Sequence, residues 1–335
     1  MPEKTTHQQV EELITGYWKS QSIYAAAKLG IADLLITGPQ TPEQLAAATN
    51  TDASALYRLL RALASIGIFA ENEAGEFALT PLAEPLRSDD PESKQALAIM
   101  NGEDQFRPWC EIIYSLQTGK PAYDNIWGKS IFEFLSEHPE KARIFDKAMI
   151  GIHGRGTDAA IKAYDFSDIN VLADVGGGNG SNLISILQAC PNLKGILFDL
   201  PHVVENAREQ FDQAGLTDRC DLVGGDFFQS VPAGADAYLL RHIIHDWNDE
   251  KSLQILKNCH ATMPEKGKLL VMESVIDPGN DPFAGKFVDL VMLLVTGGKE
   301  RTAEEFQLLY DQAGFELTRI LPTQSELSII EGIKR

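Results

Sequence analysis

From residue 170 onward the chain alternates short apolar, β-rich runs with amphipathic stretches, and few folds accept that rhythm. NVLADVGGG, KGILFDLP, CDLVGGDFF, ADAYLLRHIIHDW and GKLLVMESVID each begin with such a run. The helical segments SNLISILQAC, VVENAREQFDQAG and DEKSLQILKNCHATM separate them. A strand covered on both faces needs apolar side chains on both, so these units predict a mostly parallel sheet between two helical layers. AEEFQLLYDQAGF adds a helix, and FELTRILPT with ELSIIEGIKR predicts a terminal antiparallel hairpin. We therefore expect a Rossmann-like α/β domain over residues 166–335.

Residues 1–100 read differently. TPEQLAAATNTDASALYRLLRALASIGIFAENEAGEFALTPLAEPL gives a helix, a polar turn, a second helix and a strand pair. Thr41-Pro42 and Asp52 are the expected helix starts. This is the order of a winged helix, a module that often binds DNA. A DNA reader needs a basic face, whereas this helix offers only Arg58 and Arg61, and the whole chain carries a net charge of −19. Such a surface repels phosphate backbones, so we expect no nucleic-acid partner and read residues 1–100 as a packing or dimerisation domain. Residues 101–165 read as aromatic-rich helices, a linker that supplies one wall of an apolar pocket.

No run approaches the 18 apolar residues of a membrane span, and the polar N-terminus lacks a secretory h-region. The 4 cysteines show no CxxC spacing. A cytoplasmic protein with reduced thiols and no membrane partner is the expectation.

Gly176-Gly177-Gly178-Asn179-Gly180 lies where the strand VLADV, which contains Asp174, meets a helix. Glycines there let the backbone turn tightly and approach a ligand. Asp199, followed by Leu200, ends the next strand about 20 positions on, where an acidic residue can hold ribose hydroxyls. Asp226 follows the strand after that, and Phe227 beside it offers an apolar face for an adenine. A dinucleotide loop would require its third small residue at position 181, which is Ser. The pattern Gly176-x-Gly178-x-Gly180 instead resembles the first motif of S-adenosylmethionine-dependent methyltransferases, whose sulfonium cation suits an acidic protein.

The stretch RHIIHDWNDE leaves three readings open: a general base, half of a metal site, or an ordinary turn. His242 and His245 stand three apart with Asp246 behind, but no further ligand falls at a characteristic spacing. We expect no metal and a structural role for His242.

With DVGGGNG, FDLPHVVENA, LVGGDFF, RHIIHDWNDE and GGKERTAEEF in order, nearly the whole chain resembles the plant caffeate-type O-methyltransferases and their bacterial small-molecule relatives. The resemblance implies a Rossmann-like methyltransferase domain behind a winged-helix dimerisation domain, and a homodimer. It implies S-adenosylmethionine as cofactor, S-adenosylhomocysteine as product, and transfer to a hydroxyl of a small aromatic metabolite. It maps the general base onto His245 and the flanking acids onto Glu273 and Glu300. It maps cofactor contacts onto Asp174, Gly176, Gly178, Asp199, Leu200, Asp226, Phe227 and, where the plant enzymes often carry Lys, Arg241. Trp109, Phe145, Met149, Asp246, Met292 and Leu293 are the expected pocket wall. An S- or N-methyltransferase on the same fold, and a non-catalytic ligand sensor, are the rival readings.

Overall fold

The computed structural model describes residues 4–335, the side chains of 153–155 apart. The chain forms two compact units. One takes the chain up to Cys110 with Leu135–Ile152; the other takes Glu111–Phe134 and His153–Arg335.

In the first unit local signals set the helices. The Thr41 hydroxyl accepts from the Gln44 amide, the Gln44 side chain accepts from the Thr41 amide, and Pro42 occupies the first helical position. Helix Pro42–Thr49 thus starts with its orphan donors satisfied. Asp52 does the same for helix Ala53–Ala64, accepting from the Ala55 amide at 2.8 Å. Leu56, Leu60 and Leu63 line one buried face of that helix, the spacing an amphipathic helix requires. Strands β1 (Phe69–Glu71) and β2 (Phe77–Leu79) pair antiparallel and add Phe69 and Phe77 to the same core. The helix–turn–helix–hairpin order expected from the sequence is present. Helix Thr6–Ile14 buries none of its residues, and Leu13, Ile14 and Trp18 are 81%, 68% and 60% exposed.

The second unit is built on a sheet of seven strands. They are β3 (Val171–Val175), β4 (Lys194–Asp199), β5 (Cys220–Gly224), β6 (Ala237–Arg241), β7 (Lys268–Glu273), β8 (Phe315–Pro322) and β9 (Ser328–Lys334). Their order is β5-β4-β3-β6-β7-β9-β8. β3 to β7 pair in parallel, and β9 and β8 close the edge as the antiparallel hairpin.

Side-chain alternation along each strand explains why these runs carry no polar period. Leu172, Leu239 and Leu270 point into a core shared with Leu183, Leu187 and Phe211 from helices Ser181–Ala189 and Pro201–Ala214. Their neighbours Ala173, Tyr238 and Val271 point into a second core with Ile255, Leu256, Phe306 and Tyr310 from helices Asp249–Thr262 and Ala303–Ala313. Both faces are therefore covered. The chain runs outward from β3 to β5, then returns to place β6 on the other side of β3. In sheets of this kind ligands bind at that switch point, outside the carboxyl ends of the strands.

Candidate active site

The carboxyl ends of β3 to β7 deliver, in order, the glycine loop, Asp199, Asp226, the Arg241–Asp246 segment and Glu273. After β3, Gly176, Gly178 and Gly180 all adopt positive φ. A side chain at Gly176 would also collide with Ile243, whose Cδ1 lies 2.4 Å from an added Cβ. At Gly178 an added Cβ would meet nothing within 4 Å, so open space fronts the loop there. The Asp199 carboxylate accepts from the Gly178 amide at 2.8 Å and the Leu200 amide at 2.7 Å, tying the loop to the end of β4. Leu200 is 43% exposed. Asp226 accepts from the Phe228 amide at 2.8 Å, and the Phe227 ring packs edge-on against Phe228 and Trp247.

Asp174 is buried within β3, and one of its carboxylate oxygens has no hydrogen-bond partner. Burial pushes its pKa up to about 7, against the opposing pull of Arg241. Burial likewise lowers Arg241, to about 10. The Arg241 guanidinium donates to Asn182 Oδ1 at 2.8 Å and to the Thr157 hydroxyl. Asn182 and Thr157 are buried polar residues that no sequence motif singles out.

His245 sits in a single 3-10 turn, Ile244–Asp246, just beyond β6. His242 leads into it at φ 53, a left-handed conformation that turns the chain off the strand. The His245 ring is buried, and its Nδ1 lies 2.7 Å from Glu300 Oε1. With a carboxylate at Nδ1, that nitrogen carries the proton and Nε2 becomes the acceptor. Glu273 holds the main chain instead, accepting from the His245 amide at 3.0 Å. Asp246 Oδ1 stands 3.8 Å from Nε2, an ion-pair distance but too long for a hydrogen bond.

Burial alone would keep this imidazole neutral. Asp246, Glu300 and Glu273 outweigh it and lift the ring to about 9. Burial raises Glu273 to about 7 and Asp246 to about 6, each opposed by His245. One free oxygen on each of Glu273 and Glu300 is buried without a partner, so the cluster retains unused acceptor capacity.

Of the residues expected to form a pocket wall, Asp246, Met292 and Leu293 belong to the sheet unit, the last two on helix Gly285–Val295. Trp109, Phe145 and Met149 belong to the other unit. Residues that sequence reasoning passes over include Asp289, which accepts from the Glu300 amide at 2.9 Å, and the fully buried Arg301. Among the described residues, no group of three or more His, Cys, Asp or Glu could hold a metal ion. No helix among them is long and apolar enough to cross a membrane.

The switch point carries a glycine loop followed by acidic residues at the next two strand ends, and the matches to known proteins make the chain an S-adenosylmethionine-dependent methyltransferase. The chain belongs to the O-methyltransferase family: residues 109–316 match its O-methyltransferase domain and residues 11–89 its dimerisation domain. The second match makes the partner another copy of the chain. Phenazine O-methyltransferase PhzM of Lysobacter antibioticus is 48% identical over 321 residues, covering 96% of this chain and 94% of that protein. Phenazine-1-carboxylate N-methyltransferase of Pseudomonas aeruginosa is 32% identical, covering 95% of each. The structure of the O-methyltransferase NcsB1 from neocarzinostatin biosynthesis, in complex with S-adenosylmethionine and 2-hydroxy-5-methyl naphthoic acid, matches with a TM-score of 0.85. That match has 33% identity and covers 94% of this chain and 96% of that one.

Proposed function

We propose that the protein methylates a phenolic hydroxyl on a small fused aromatic ring, with His245 as general base. The observation that carries this reading is the Glu300 carboxylate 2.7 Å from His245 Nδ1, which leaves Nε2 as the proton acceptor. The names of the relatives, a phenazine and a naphthoate among their substrates, supply the ring class. Asp246, Met292 and Leu293 are proposed contacts for that ring. Glycines 176 and 178, Asp199, Leu200, Asp226 and Phe227 are the proposed cradle for the cofactor, with Asp174 and Arg241 behind the loop. Within the chain, we assign residues 1–100 to dimer formation and 166–335 to cofactor binding. Its free thiols suit a cytoplasmic location.

S-adenosylmethionine, when bound, supplies a methyl carbon on a sulfonium, open to direct displacement. The protein's task is to make the phenol nucleophilic. A phenol titrates near 10 and an ordinary imidazole near 6.5, so full proton transfer costs about 5 kcal/mol. With His245 raised to about 9, the remaining gap is roughly 1 unit, or about 1.4 kcal/mol. The same carboxylates that lift the ring stabilise the imidazolium once the proton has moved. Nε2 takes the proton, Glu300 holds the charged ring, and the oxygen is left to attack.

A second reading, methyl transfer to nitrogen, is favoured by the relatives that carry an N-methyltransferase name. A tertiary or aromatic nitrogen has no proton to lose and does not need this base. Incubation with S-adenosylmethionine and a panel of hydroxyphenazines, dihydroxynaphthalenes, catechols and aromatic amines, read by mass spectrometry, separates the two. Methylated phenol, unaffected by EDTA and lost in His245→Ala, is the expected result. Methylation confined to nitrogen, or full turnover in His245→Ala, would overturn the reading.

A further inference from the structure

Arg301 follows Glu300 directly and is 1% exposed, the largest fully buried side chain among the described residues. Its guanidinium has five N–H groups in a rigid fork, which the structure divides among the His245 turn, the helix after it and the Lys299 carbonyl. Nη1 donates to the Ile244 carbonyl at 3.0 Å, and Nη2 to the Trp247 carbonyl at 3.0 Å. Nη2 also reaches Ser252 Oγ at 3.1 Å, and Nε and Nη2 both meet Asp249 Oδ1, at 3.2 and 2.9 Å. Nη1 also approaches the Lys299 carbonyl at 3.4 Å. Ser252 Oγ lies 3.2 Å from the carbonyls of both Ile244 and Trp247.

Those two carbonyls bracket His245. The 3-10 turn has two hydrogen bonds of its own, Asp246 N to Ile243 O and Trp247 N to Ile244 O, both at 3.2 Å, and two bonds of the poorer 3-10 geometry are a weak constraint on a buried ring. The neighbouring residues complete the grip. The Lys299 amide donates to the His245 carbonyl at 2.9 Å. At Gly298 an added Cβ would fall 1.9 Å from that carbonyl, so only glycine lets this segment approach. Residues 298–301 therefore hold the turn at every carbonyl from Ile244 to Trp247 except that of Asp246, while Glu300 holds the ring.

We infer that Arg301 is a positioning residue: by fastening the Ile244 and Trp247 carbonyls it fixes the His245 turn, so that Nδ1 meets Glu300 and Nε2 faces the acceptor. This rests on the reading of His245 as general base. A lysine has three donors on a single nitrogen, so it cannot reproduce the planar fork that reaches the Ile244 and Trp247 carbonyls through separate nitrogens while Nε meets Asp249.

The test uses the full-length homodimer with histidines labelled at ¹³Cε1, the His245 signal being assigned by its loss in His245→Asn. In Arg301→Lys and Arg301→Gln we expect the His245 titration to shift or broaden. Turnover of 1-hydroxyphenazine should fall at least tenfold in kcat with KM changed less than threefold, and S-adenosylhomocysteine affinity by calorimetry should stay within twofold. An unchanged His245 titration would overturn the proposal, and so would a parallel loss of cofactor affinity, which would mark Arg301 as general core packing. If neither Arg301 variant folds, Ser252→Ala removes a hydroxyl of the same clamp and is judged by the same signal. Full turnover in His245→Asn would instead sink the general-base reading, leaving the NMR result to decide whether Arg301 orients the ring.

Discussion

At His245 three carboxylates oppose burial over one proton, and the outcome sets the pH dependence. With the ring raised to about 9, the neutral base is the minor form at neutral pH. In the free enzyme kcat/KM should therefore climb about tenfold per pH unit and level off near pH 9. A profile already flat at pH 7 would contradict the assignment. Glu300→Gln removes one of the groups that raise the ring, so its ascending limb should move to lower pH. Its plateau should nonetheless drop, because Nδ1 loses the carboxylate that orients it. His245→Ala should lose about 10² to 10⁴ in kcat, the usual contribution of a positioned base, measured under saturating S-adenosylmethionine. The family resemblance groups His245, Glu273 and Glu300, yet the sequence carries no sign of which atom each acid holds. Glu273 on the main chain and Glu300 on the ring is a distinction that only the fold makes. Arg301 is harder still to foresee, since three of its partners are backbone carbonyls, which no residue type announces. Asn182 and Thr157 meet Arg241 across 59 and 84 residues of chain, with no local pattern to join them.

At the scale of elements, legibility follows how local the cause is. The caps at Thr41 and Asp52 are read directly from the chain because each bond spans three residues. The parallel strands are equally plain, since burial on both faces removes polar residues from the run. The GGKER segment is different, because its geometry answers a distant element. Gly298 does not adopt the left-handed conformation that usually calls for glycine; it is needed because the His245 carbonyl lies against it. Gly298→Ala must push the two segments apart and lengthen the bond from the Lys299 amide. We expect a loss of about 1–3 kcal/mol, the usual cost of overpacking, together with a fall in kcat, both measured on the same sample by urea unfolding and initial rates. Wild-type stability and rate in this variant would show that the approach is not needed.

For the molecule as a whole, the unanswered demand is the N-terminal apolar face. Val10, Leu13, Ile14, Tyr17 and Trp18 are each at least half exposed, on the first two helices of the chain, Thr6–Ile14 and Gly16–Lys28. Exposed apolar surface that is contiguous marks an interaction site, and four of these five residues fall within the matched dimerisation domain, residues 11–89. The second copy of the chain is the occupant this predicts. A charge placed there must be buried unpaired on association or prevent it, and burying an unpaired carboxylate is the costlier course. The net charge of −19 adds repulsion between two identical chains, so the interface has to draw its stability from apolar contact. The double variant Leu13→Glu, Trp18→Glu should therefore run as a monomer in size-exclusion chromatography with light scattering at concentrations where the wild type is a dimer. Because helix Thr6–Ile14 contributes no buried residue within its own chain, and Trp18 on the next helix, Gly16–Lys28, is 60% exposed, the fold should survive, with circular dichroism unchanged. S-adenosylhomocysteine binding reads the unit to which we assign the cofactor, and retained affinity in the monomer would show that dimer formation and cofactor binding are separable. A double variant that stays dimeric would move the interface to another face of the first unit. Raising the salt concentration should tighten the wild-type dimer, since screening weakens the repulsion while leaving the apolar contact in place.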